Sequence, residues 1–362
     1  MVSNQSSLES LIHPHLLDIL YASKAGVNPS PEHCVQMLSY PETSIEASII
    51  RASADAISRK RFNNQALILG QIGIETAPCP ANCKFCVFSE RDFTLPQSKL
   101  TIDQIINQAR MLTEDGDLYA LFLMTMHNYD YFHLLDVVQA VREAIPSHTK
   151  IVINVGDFTL DQASQLKSLG ITGAYHVCRL REGCDTDLNP QDRLNTIQAI
   201  KESELDWYYC CEPIGPEHTP DEIVDQLQLG VQYECFQHAT MRRVYLEQAP
   251  LSEFGQISEL RLAQITAVVA LATLASETVD NIAVHEPNLL GLTSGANVVY
   301  AEAGANPRDI ALDTATNRGI NIHQAKTMLF EAGFTALRRG NNTTIPLTLE
   351  STLQTKPVSL SY

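Results

Sequence analysis

The sequence predicts an α/β fold: a TIM-type (β/α)8 barrel, full or nearly closed, with an N-terminal helical extension and a C-terminal cap. From residue 67 onward, about eight short apolar runs alternate with segments of helical periodicity, which indicates βαβ units and a parallel sheet. The 362 residues, 44% of them hydrophobic, suffice for one barrel with extensions. We expect an N-terminal helical extension (1–66), the barrel (67–310), and a C-terminal helical cap and tail (311–362).

The predicted elements follow in a regular order. A helix over Ser44–Phe62 has apolar residues at helical spacing and ends at Asn63 and Asn64. The predicted strands are Leu67–Ile74, Leu118–Met126, Lys150–Val155, Gly173–Cys178, Trp207–Cys211, Gln232–His238, Asn281–Val284 and Val298–Ala301. The predicted helices among and after them are Thr101–Leu112, Phe132–Glu143, Leu160–Leu169, Pro190–Glu202, Pro220–Leu229, Leu260–Ala275 and Ile322–Phe334.

The charge, the apolar runs and the cysteine count of the sequence argue against several classes of protein. Lys and Arg total 25 against 42 Asp and Glu, a net charge of −17, which argues against a nucleic-acid partner or an anionic membrane surface. No apolar run approaches the roughly 18 residues of a membrane span, and the first ten residues lack the features of a secretory signal. We therefore expect a cytoplasmic protein. Its nine cysteines, an odd number, favour ligands, catalysts or buried thiols over disulfides.

Three of these cysteines share one loop after the first predicted strand. Cys79, Cys83 and Cys86 have the spacing C-x3-C-x2-C. Zinc prefers four ligands, so a zinc site here would need a distant fourth ligand, which stays as the structural alternative. Three thiolates on a cubane iron–sulfur cluster leave one iron open, and an open iron is a reaction site. The loops after the strands are also where barrel enzymes carry their chemistry.

This loop, with the aromatic Phe85 before its last cysteine, resembles the signature of radical S-adenosyl-L-methionine (SAM) enzymes. The resemblance implies a 4Fe–4S cluster on Cys79, Cys83 and Cys86, with SAM chelating the open iron and Phe85 near the cofactor. It further implies an electron donor such as flavodoxin or ferredoxin. Reductive cleavage of SAM would then give a 5′-deoxyadenosyl radical that takes hydrogen from the substrate.

Further segments resemble the biotin synthase-like branch, which includes biotin synthase, the iron–iron hydrogenase maturase and 3-methylornithine synthase. Together these segments cover about residues 45–335. Their order along the chain supports the resemblance more strongly than any single segment does. They are Arg59-Lys60-Arg61-Phe62-Asn63-Asn64, Asp192-Arg193-Leu194, Leu292-Thr293-Ser294-Gly295-Ala296-Asn297 and Glu331-Ala332-Gly333-Phe334.

The sequence also departs from biotin synthase. The places of that enzyme's second cluster ligands fall at about Met124, Val152, Cys210 and His285, so the set is not intact. This weighs against sulfur insertion, although a second cluster on other cysteines stays open. No cysteine follows Cys235, so we expect no auxiliary-cluster domain of the SPASM type.

Candidates for SAM binding follow the second and fourth strands. The Gly-Gly-Glu that often holds the SAM amino group is absent, and Thr125 or His127 is expected to take over part of its role. Arg179, Arg181 and Glu182 are candidates for the SAM carboxylate or ribose, because Arg binds carboxylates through two parallel bonds and Glu accepts from hydroxyls. A surface salt-bridge cluster is the alternative.

The fifth strand supplies the catalytic candidates. Alternation puts Tyr209 and Cys211 on one face and Cys210 and Glu212 on the other. A relay or hydrogen-donor role is predicted for Cys210 or Cys211, with Tyr209 beside them, while Glu212 is a cofactor-binding candidate. The alternative is a small buried thiol.

The loops after the later strands face the same mouth. His238, Met241, Arg242 and Arg243 are candidate substrate contacts, with a solvated helix start as the alternative, and His285 faces the same mouth. The turn 304–308 is a candidate anion site, with an ordinary turn as the alternative.

The leading functional hypothesis is a radical SAM enzyme of the lyase, mutase or transferase type, acting on a small amino-acid-like or carboxylate substrate by rearrangement or fragmentation. Sulfur insertion of the biotin or lipoyl type is one alternative. Modification of a peptide presented by a partner is another, and a non-catalytic metal-stabilised scaffold is the alternative of another class. The sequence leaves the oligomeric state open.

Overall fold

The computed structural model describes residues 12–286 and 288–353, and the predicted elements before residue 12 and after 353 lie outside that part. Three helices precede the barrel: α1 (Pro14–Lys24), α2 (Pro31–Ser39) and α3 (Ile45–Arg61). The Ser44 hydroxyl caps α3 by accepting a bond from the backbone of Ala47 at 3.1 Å. Three basic residues in the last turn complement the helix dipole.

The strands form a closed parallel barrel with two short additions. In chain order they are β1 (Gln65–Gly73), β2 (Glu75–Thr76), β3 (Ser98–Lys99), β4 (Ala120–Met124), β5 (Lys150–Asn154), β6 (Gly173–Tyr175), β7 (Asp206–Ile214), β8 (Gln237–Arg242), β9 (Asn281–Val284), β10 (Val298–Gly304), β11 (Ala336–Arg338) and β12 (Thr344–Pro346). The barrel order is β1-β4-β5-β6-β7-β8-β9-β10, and β10 pairs with β1 to close it. The predicted (β/α)8 barrel is confirmed.

Helices surround the barrel, and most begin at a Ser, Thr, Asn or Asp cap. They are α4 (Ile102–Thr113), α5 (Tyr131–Ala144), α6 (Leu160–Ser168), α7 (Pro190–Glu202), α8 (Pro220–Gln232), α9 (Glu259–Ala272), α10 (Leu289–Leu292), α11 (Ile322–Glu331) and α12 (Leu349–Thr352). Short 3-10 turns occur at Pro250–Phe254 and Thr314–Thr316. Every helix in the described part of the chain is too short or too polar to cross a lipid bilayer.

The N-terminal helices cover α9, which is buried on all sides from Leu262 to Ala272. The side-chain amide of Gln264 donates to the carbonyl oxygens of Met37 at 2.9 Å and Tyr40 at 3.0 Å. The predicted extension is thus joined to the barrel by buried hydrogen bonds as well as apolar packing.

One predicted strand is wrong in position. Residues 232–238 are predicted as a strand, but α8 runs to Gln232 and β8 begins only at Gln237. Glu234 has a φ of 54°, a left-handed backbone conformation that turns the chain between the end of α8 and the start of β8. At the other end of the chain, β11 and β12 form an antiparallel pair beside β1, where the sequence predicts only helix.

Aromatic side chains fill the barrel lumen. The ring of Phe122 meets those of Tyr208, Tyr300 and Tyr175 edge to face, with centroid distances of 5.1, 5.3 and 6.4 Å. Edge-to-face rings are a favourable packing arrangement. This aromatic layer closes the lumen, so the open space lies above it, at the carboxyl ends of the strands.

Candidate active site

A cavity lies at the carboxyl ends of the barrel strands and opens to solvent, and the empty space in it and in its solvent-open mouth together is about 1000 Å³. Its walls come from the cysteine loop, the strand ends and the loops that follow them. The lining residues are Gln71, Cys79, Ala81, Cys83, Phe85, Cys86, Phe88, Met124, Thr125, Met126, His127, Asn154, Val155, Gly156, Tyr175, Arg179, Leu188, Arg193, Glu212, Met241, His285, Pro307 and Arg308.

The cysteine loop folds back so that its three thiols face this cavity. The backbone of Cys79 donates to the carbonyl of Phe88 at 2.7 Å, and the Cys86 sulfur accepts from the Phe88 backbone at 3.3 Å. Burial raises the pKa of Cys83 to about 12, and burial together with the neighbouring Cys83 raises the pKa of Cys86 well above its ordinary value. These thiols need a bound cation to become thiolates near neutral pH.

Ion pairs hold the cysteine loop against the loop after β6. The ammonium of Lys84 lies 3.1 Å from an Asp185 oxygen, and the Asn82 amide donates to Asp187 at 2.9 Å. The backbone of Asp187 donates to the carbonyl of Ala81 at 2.8 Å. The loop is therefore shaped by protein contacts on its outer side, while its thiols remain directed inward.

The donor set fits a cluster better than a single ion. Within residues 12–286 and 288–353, no three Cys, His, Asp or Glu side chains converge as ligands of one metal ion. A 4Fe–4S cubane binds each thiolate through a different iron, so its ligands are spread more widely than those of one ion. Three inward-facing thiols on one wall of a cavity meet this requirement.

Arg179, Glu212 and Tyr175 form a buried chain in the cavity wall. The Tyr175 hydroxyl donates to Glu212 at 2.7 Å, and the Arg179 Nε donates to the other carboxylate oxygen at 3.1 Å. Burial lowers the pKa of Arg179, but the negative charges of Glu212 and Glu182 outweigh the effect of burial and raise that pKa above its ordinary value. The phenol of Tyr175 and the guanidinium of Arg179 therefore line the cavity, and the Glu212 carboxylate between them holds both in place.

A second group of polar side chains gathers on Asp157. One oxygen of its carboxylate accepts from Arg193 at 2.9 Å and from Thr196 at 2.9 Å, and lies 3.1 Å from the His176 Nε2. Burial raises the pKa of Asp157, but these three partners outweigh burial and hold that pKa well below its usual range. The other oxygen lies 3.9 Å from the Nε2 of His127, which faces the cavity.

A third group crosses the lumen beside the cavity. Arg308 donates to Glu302 at 2.6 Å and to Glu286 at 3.0 Å. The Gln71 amide also donates to Glu302, at 3.2 Å, and accepts from Asn154 at 3.2 Å. Burial raises the pKa of Glu302, although the charge of Arg308 works against that rise.

His285 lies between these groups as a neutral ring. It stacks on Tyr300 with centroids 4.3 Å apart and is 7% exposed. Burial, reinforced by the charge of Arg308, lowers its pKa to about 3. Its Nε2 is buried and lacks a hydrogen-bond partner in the described part of the chain.

The structure brings part of the predicted cofactor-binding set together with the cysteines. Phe85, Thr125, His127, Arg179 and Glu212 all line the cavity.

Arg181 and Glu182 lie apart from this cavity. Arg181 turns outward and donates to Glu222 at 2.8 Å. Glu182 lies beneath the wall, where it accepts from the Arg179 backbone at 2.9 Å and the Thr186 hydroxyl at 2.6 Å.

The strand alternation expected for β7 is present. The Tyr209 hydroxyl donates to the carbonyl of Gln226 at 2.7 Å, and the Cys211 sulfur contacts the carbonyl of Ile223 at 3.8 Å, so both face α8. Cys210 faces the lumen on the same side as Glu212. Of the three predicted catalytic side chains, it alone adjoins the cavity wall.

Of the predicted substrate contacts in β8 and just after it, some face the cavity and others face away from it. Met241 lines the cavity, whereas His238 contacts the carbonyl of Leu227 at 3.0 Å on the outer side of the barrel. Arg242 donates to the carbonyl of Ile257 at 3.3 Å, and Arg243 pairs with Glu217.

Sequence reasoning missed several polar residues of the site. Each stands at the middle of a predicted strand, towards its carboxyl end or just after that end, which is the signal that could have found them. They are Gln71, Asn154, Asp157, Tyr175 and Glu302.

Comparison with known sequences finds biotin synthases. The chain is 24% identical over 298 residues to the biotin synthase of Clostridioides difficile, covering 79% of this chain and 88% of that one. The match to other biotin synthases, such as that of Vesicomyosocius okutanii, spans about half of their length. No protein-family model matches the chain.

Comparison with solved structures finds the same fold. Methylornithine synthase superposes with a TM-score of 0.74 at 16% identity, covering 87% of this chain and 96% of that one. The FeFe-hydrogenase maturase HydG from Carboxydothermus hydrogenoformans superposes with a TM-score of 0.72 at 15% identity, covering 90% and 79%. At these identities the likeness is one of fold.

Proposed function

We propose that this chain, a member of the biotin synthase-like branch of the radical SAM enzymes, binds a 4Fe–4S cluster through Cys79, Cys83 and Cys86 and SAM beside it. It would act on a small amino-acid-like or carboxylate substrate by rearrangement or fragmentation. When bound, cluster and SAM supply a 5′-deoxyadenosyl radical that takes hydrogen from the substrate. The observation that carries the proposal is the sharing of one cavity by three inward-facing thiols and buried charged side chains.

Arg179 is the residue best placed to bind a carboxylate. Its Nε is engaged by Glu212, and its side chain keeps 22% of its surface exposed at the cavity. Its Nη1 lies 3.8 Å from Glu182, too far for a hydrogen bond, so the outer edge of the guanidinium is available to a ligand. We assign this edge to the carboxylate of SAM or of the substrate.

Thr125, His127 and Phe85 complete the proposed SAM site. All three line the cavity with the thiols; Phe85 belongs to the cysteine loop, and Thr125 and His127 stand where the chain lacks Gly-Gly-Glu. Burial lowers the pKa of His127 despite the opposing charge of Asp157. A neutral imidazole there can accept from an ammonium or donate to a carboxylate, depending on its tautomer.

The opposite wall favours a substrate with charged or strongly polar groups. Arg308 lines the cavity, and the Glu302 and Glu286 carboxylates to which it donates lie behind it in a buried network. A charged guanidinium in the wall favours a substrate that carries an anionic or polar group over a purely apolar acyl chain. The absence of an intact second ligand set favours rearrangement over sulfur insertion, because Met124 and Val152 stand at two of the cysteine positions and His285 stands at the arginine position.

The proposed reaction needs a low-potential electron donor of the flavodoxin or ferredoxin type. It also needs a reducing compartment such as the cytoplasm, where thiols stay available to iron.

The test is anaerobic reconstitution with iron and sulfide, with Cys83→Ala as the loss variant and exposed Cys184→Ala as the matched control. The wild type and the control should bind about four irons per chain and form 5′-deoxyadenosine from SAM under reduction. Cys83→Ala should lose the brown colour and the product. Bound zinc without deoxyadenosine would refute the proposal in favour of a scaffold, and about eight irons would favour sulfur chemistry.

A further inference from the structure

We propose that Tyr175 is a hydrogen-atom donor to the carbon radical formed in the cavity, and that Cys210 behind it restores the phenol. The inference rests on the proposed function and adds a residue pair to it. Tyr175 stands at the end of β6 and Cys210 near the end of β7, on neighbouring strands that pair through Tyr175 and Tyr208.

Tyr175 has the placement that a donor needs. It lines the cavity while 7% of its surface is exposed, so a ligand can touch it but bulk water has little access. Its hydroxyl is held by Glu212 at 2.7 Å, and Arg179 fixes that carboxylate from the other side at 3.1 Å. The hydrogen that would be transferred therefore has one defined position.

Cys210 supplies a second hydrogen one layer deeper. Its side chain is fully buried and lies against the phenol of Tyr175 and the carboxylate of Glu212. Its sulfur lies 3.7 Å from the backbone carbonyl of Cys211, and its side chain also contacts those of Tyr175 and Glu212. The buried thiol is therefore neutral and adjacent to the phenol, as a reserve donor requires.

The surroundings protect an oxidised pair from side reactions. Phe122 and His285 pack against the Tyr175 ring at centroid distances of 6.4 and 5.8 Å. Tyr300 lies beyond them, stacked on His285, and its hydroxyl is engaged by Gln237 at 2.7 Å. A radical on Tyr175 or Cys210 would thus be enclosed by rings, with the thiol as the nearest weak X–H bond.

The steps balance as follows. A C–H bond forms at the carbon radical as the O–H bond of Tyr175 breaks, because a phenolic O–H bond is weaker than the C–H bond formed. The tyrosyl oxygen then takes the hydrogen atom of the Cys210 thiol. One electron from the low-potential donor and one proton from solvent convert the thiyl back to the thiol.

The test needs no substrate, because the 5′-deoxyadenosyl radical itself can take the hydrogen. Reconstituted protein, equilibrated in D2O, is given SAM and dithionite, and the deuterium at C5′ of deoxyadenosine is measured by mass spectrometry. Water cannot supply this label, since its O–H bond is too strong. The wild type should give labelled product, and Tyr175→Phe should lose most of the label. Tyr300→Phe, which changes a lumen phenol outside the cavity wall, should keep it.

A second measurement isolates Cys210. Under the same conditions Cys210→Ala should accumulate a tyrosyl signal in electron paramagnetic resonance, whereas Cys235→Ala, which removes a buried thiol elsewhere, should not. Unlabelled deoxyadenosine from the wild type, retention of the label in Tyr175→Phe, or no tyrosyl signal in Cys210→Ala would overturn the relay and leave the proposed function standing. Failure of the wild type to form any deoxyadenosine would instead remove the proposed function.

Discussion

Replacing Arg308 by Met should destabilise the folded chain strongly, because it leaves a buried carboxylate without its cation. Arg308 is 9% exposed and Glu302 is 7% exposed, and their atoms are 2.6 Å apart. Removing one partner of a buried pair costs about 3–5 kcal/mol. Arg318→Met removes a guanidinium that is 37% exposed, so its loss should cost less than about 1 kcal/mol.

The cost of Arg308→Met should depend on pH in a defined direction. The charge of Arg308 lowers the pKa of Glu302, which burial raises above its value of 4.5 in the unfolded chain. Without Arg308 that pKa rises further. A carboxyl whose folded pKa exceeds its unfolded pKa favours folding only when protonated, so stability falls as pH rises through this window. The variant should therefore lose more stability at pH 8 than at pH 5.

Urea unfolding of the cluster-free chain at both pH values measures these effects. The double variant Arg308→Met/Glu302→Gln should recover much of the loss, since the amide removes the uncompensated charge while keeping the shape. The reasoning fails if Arg308→Met costs no more than Arg318→Met, or if the added Gln recovers nothing.

Two further predictions concern packing and acid stability. Gly156→Ala would place its Cβ 1.9 Å from the carbonyl oxygen of His127, so it should lower the unfolding midpoint and disturb the cavity wall, whereas Gly70→Ala meets only leucine side chains at 3.0–3.3 Å and should cost less. His285→Gln should reduce the stability lost between pH 7 and pH 5 by up to about 2 kcal/mol, because the folded pKa of about 3 keeps His285 neutral while the unfolded ring takes up a proton. Equal midpoints for the two glycine variants, or an unchanged pH slope for His285→Gln, would contradict these arguments.

The cysteine loop could be predicted because the residues that define it are close together in the sequence. Cys79, Cys83 and Cys86 lie within eight residues, and their spacing alone places three thiols together. The strand order was equally accessible, because short apolar runs alternating with helices allow few arrangements. The error at 232–238 arose because the turn between α8 and β8 also carries apolar side chains, Tyr233, Cys235 and Phe236, which pack against the core.

The rest of the site was not accessible in this way. Tyr175 and Cys210 are separated by 35 positions, and only the register between β6 and β7 brings them together. The same register decides that Cys210 faces the lumen while Cys211 faces α8. Arg181 shows the converse: its sequence neighbours suggested a ligand contact, but its φ of 54° helps to turn the chain, and its side chain pairs with Glu222 at the surface.

The architecture separates the cysteine loop, which is the proposed cluster site, from the strand ends that line the rest of the cavity. The thiols come from one loop held by its own ion pairs, whereas nearly every barrel strand contributes a different side chain to the cavity. These contributions, within two residues of the carboxyl ends of seven strands, are Gln71, Met124, Asn154, Tyr175, Glu212, Met241 and His285. Each of these side chains projects from a strand end, so it can change without altering strand pairing. A barrel can therefore keep its fold at 16% identity to methylornithine synthase while its cavity chemistry diverges.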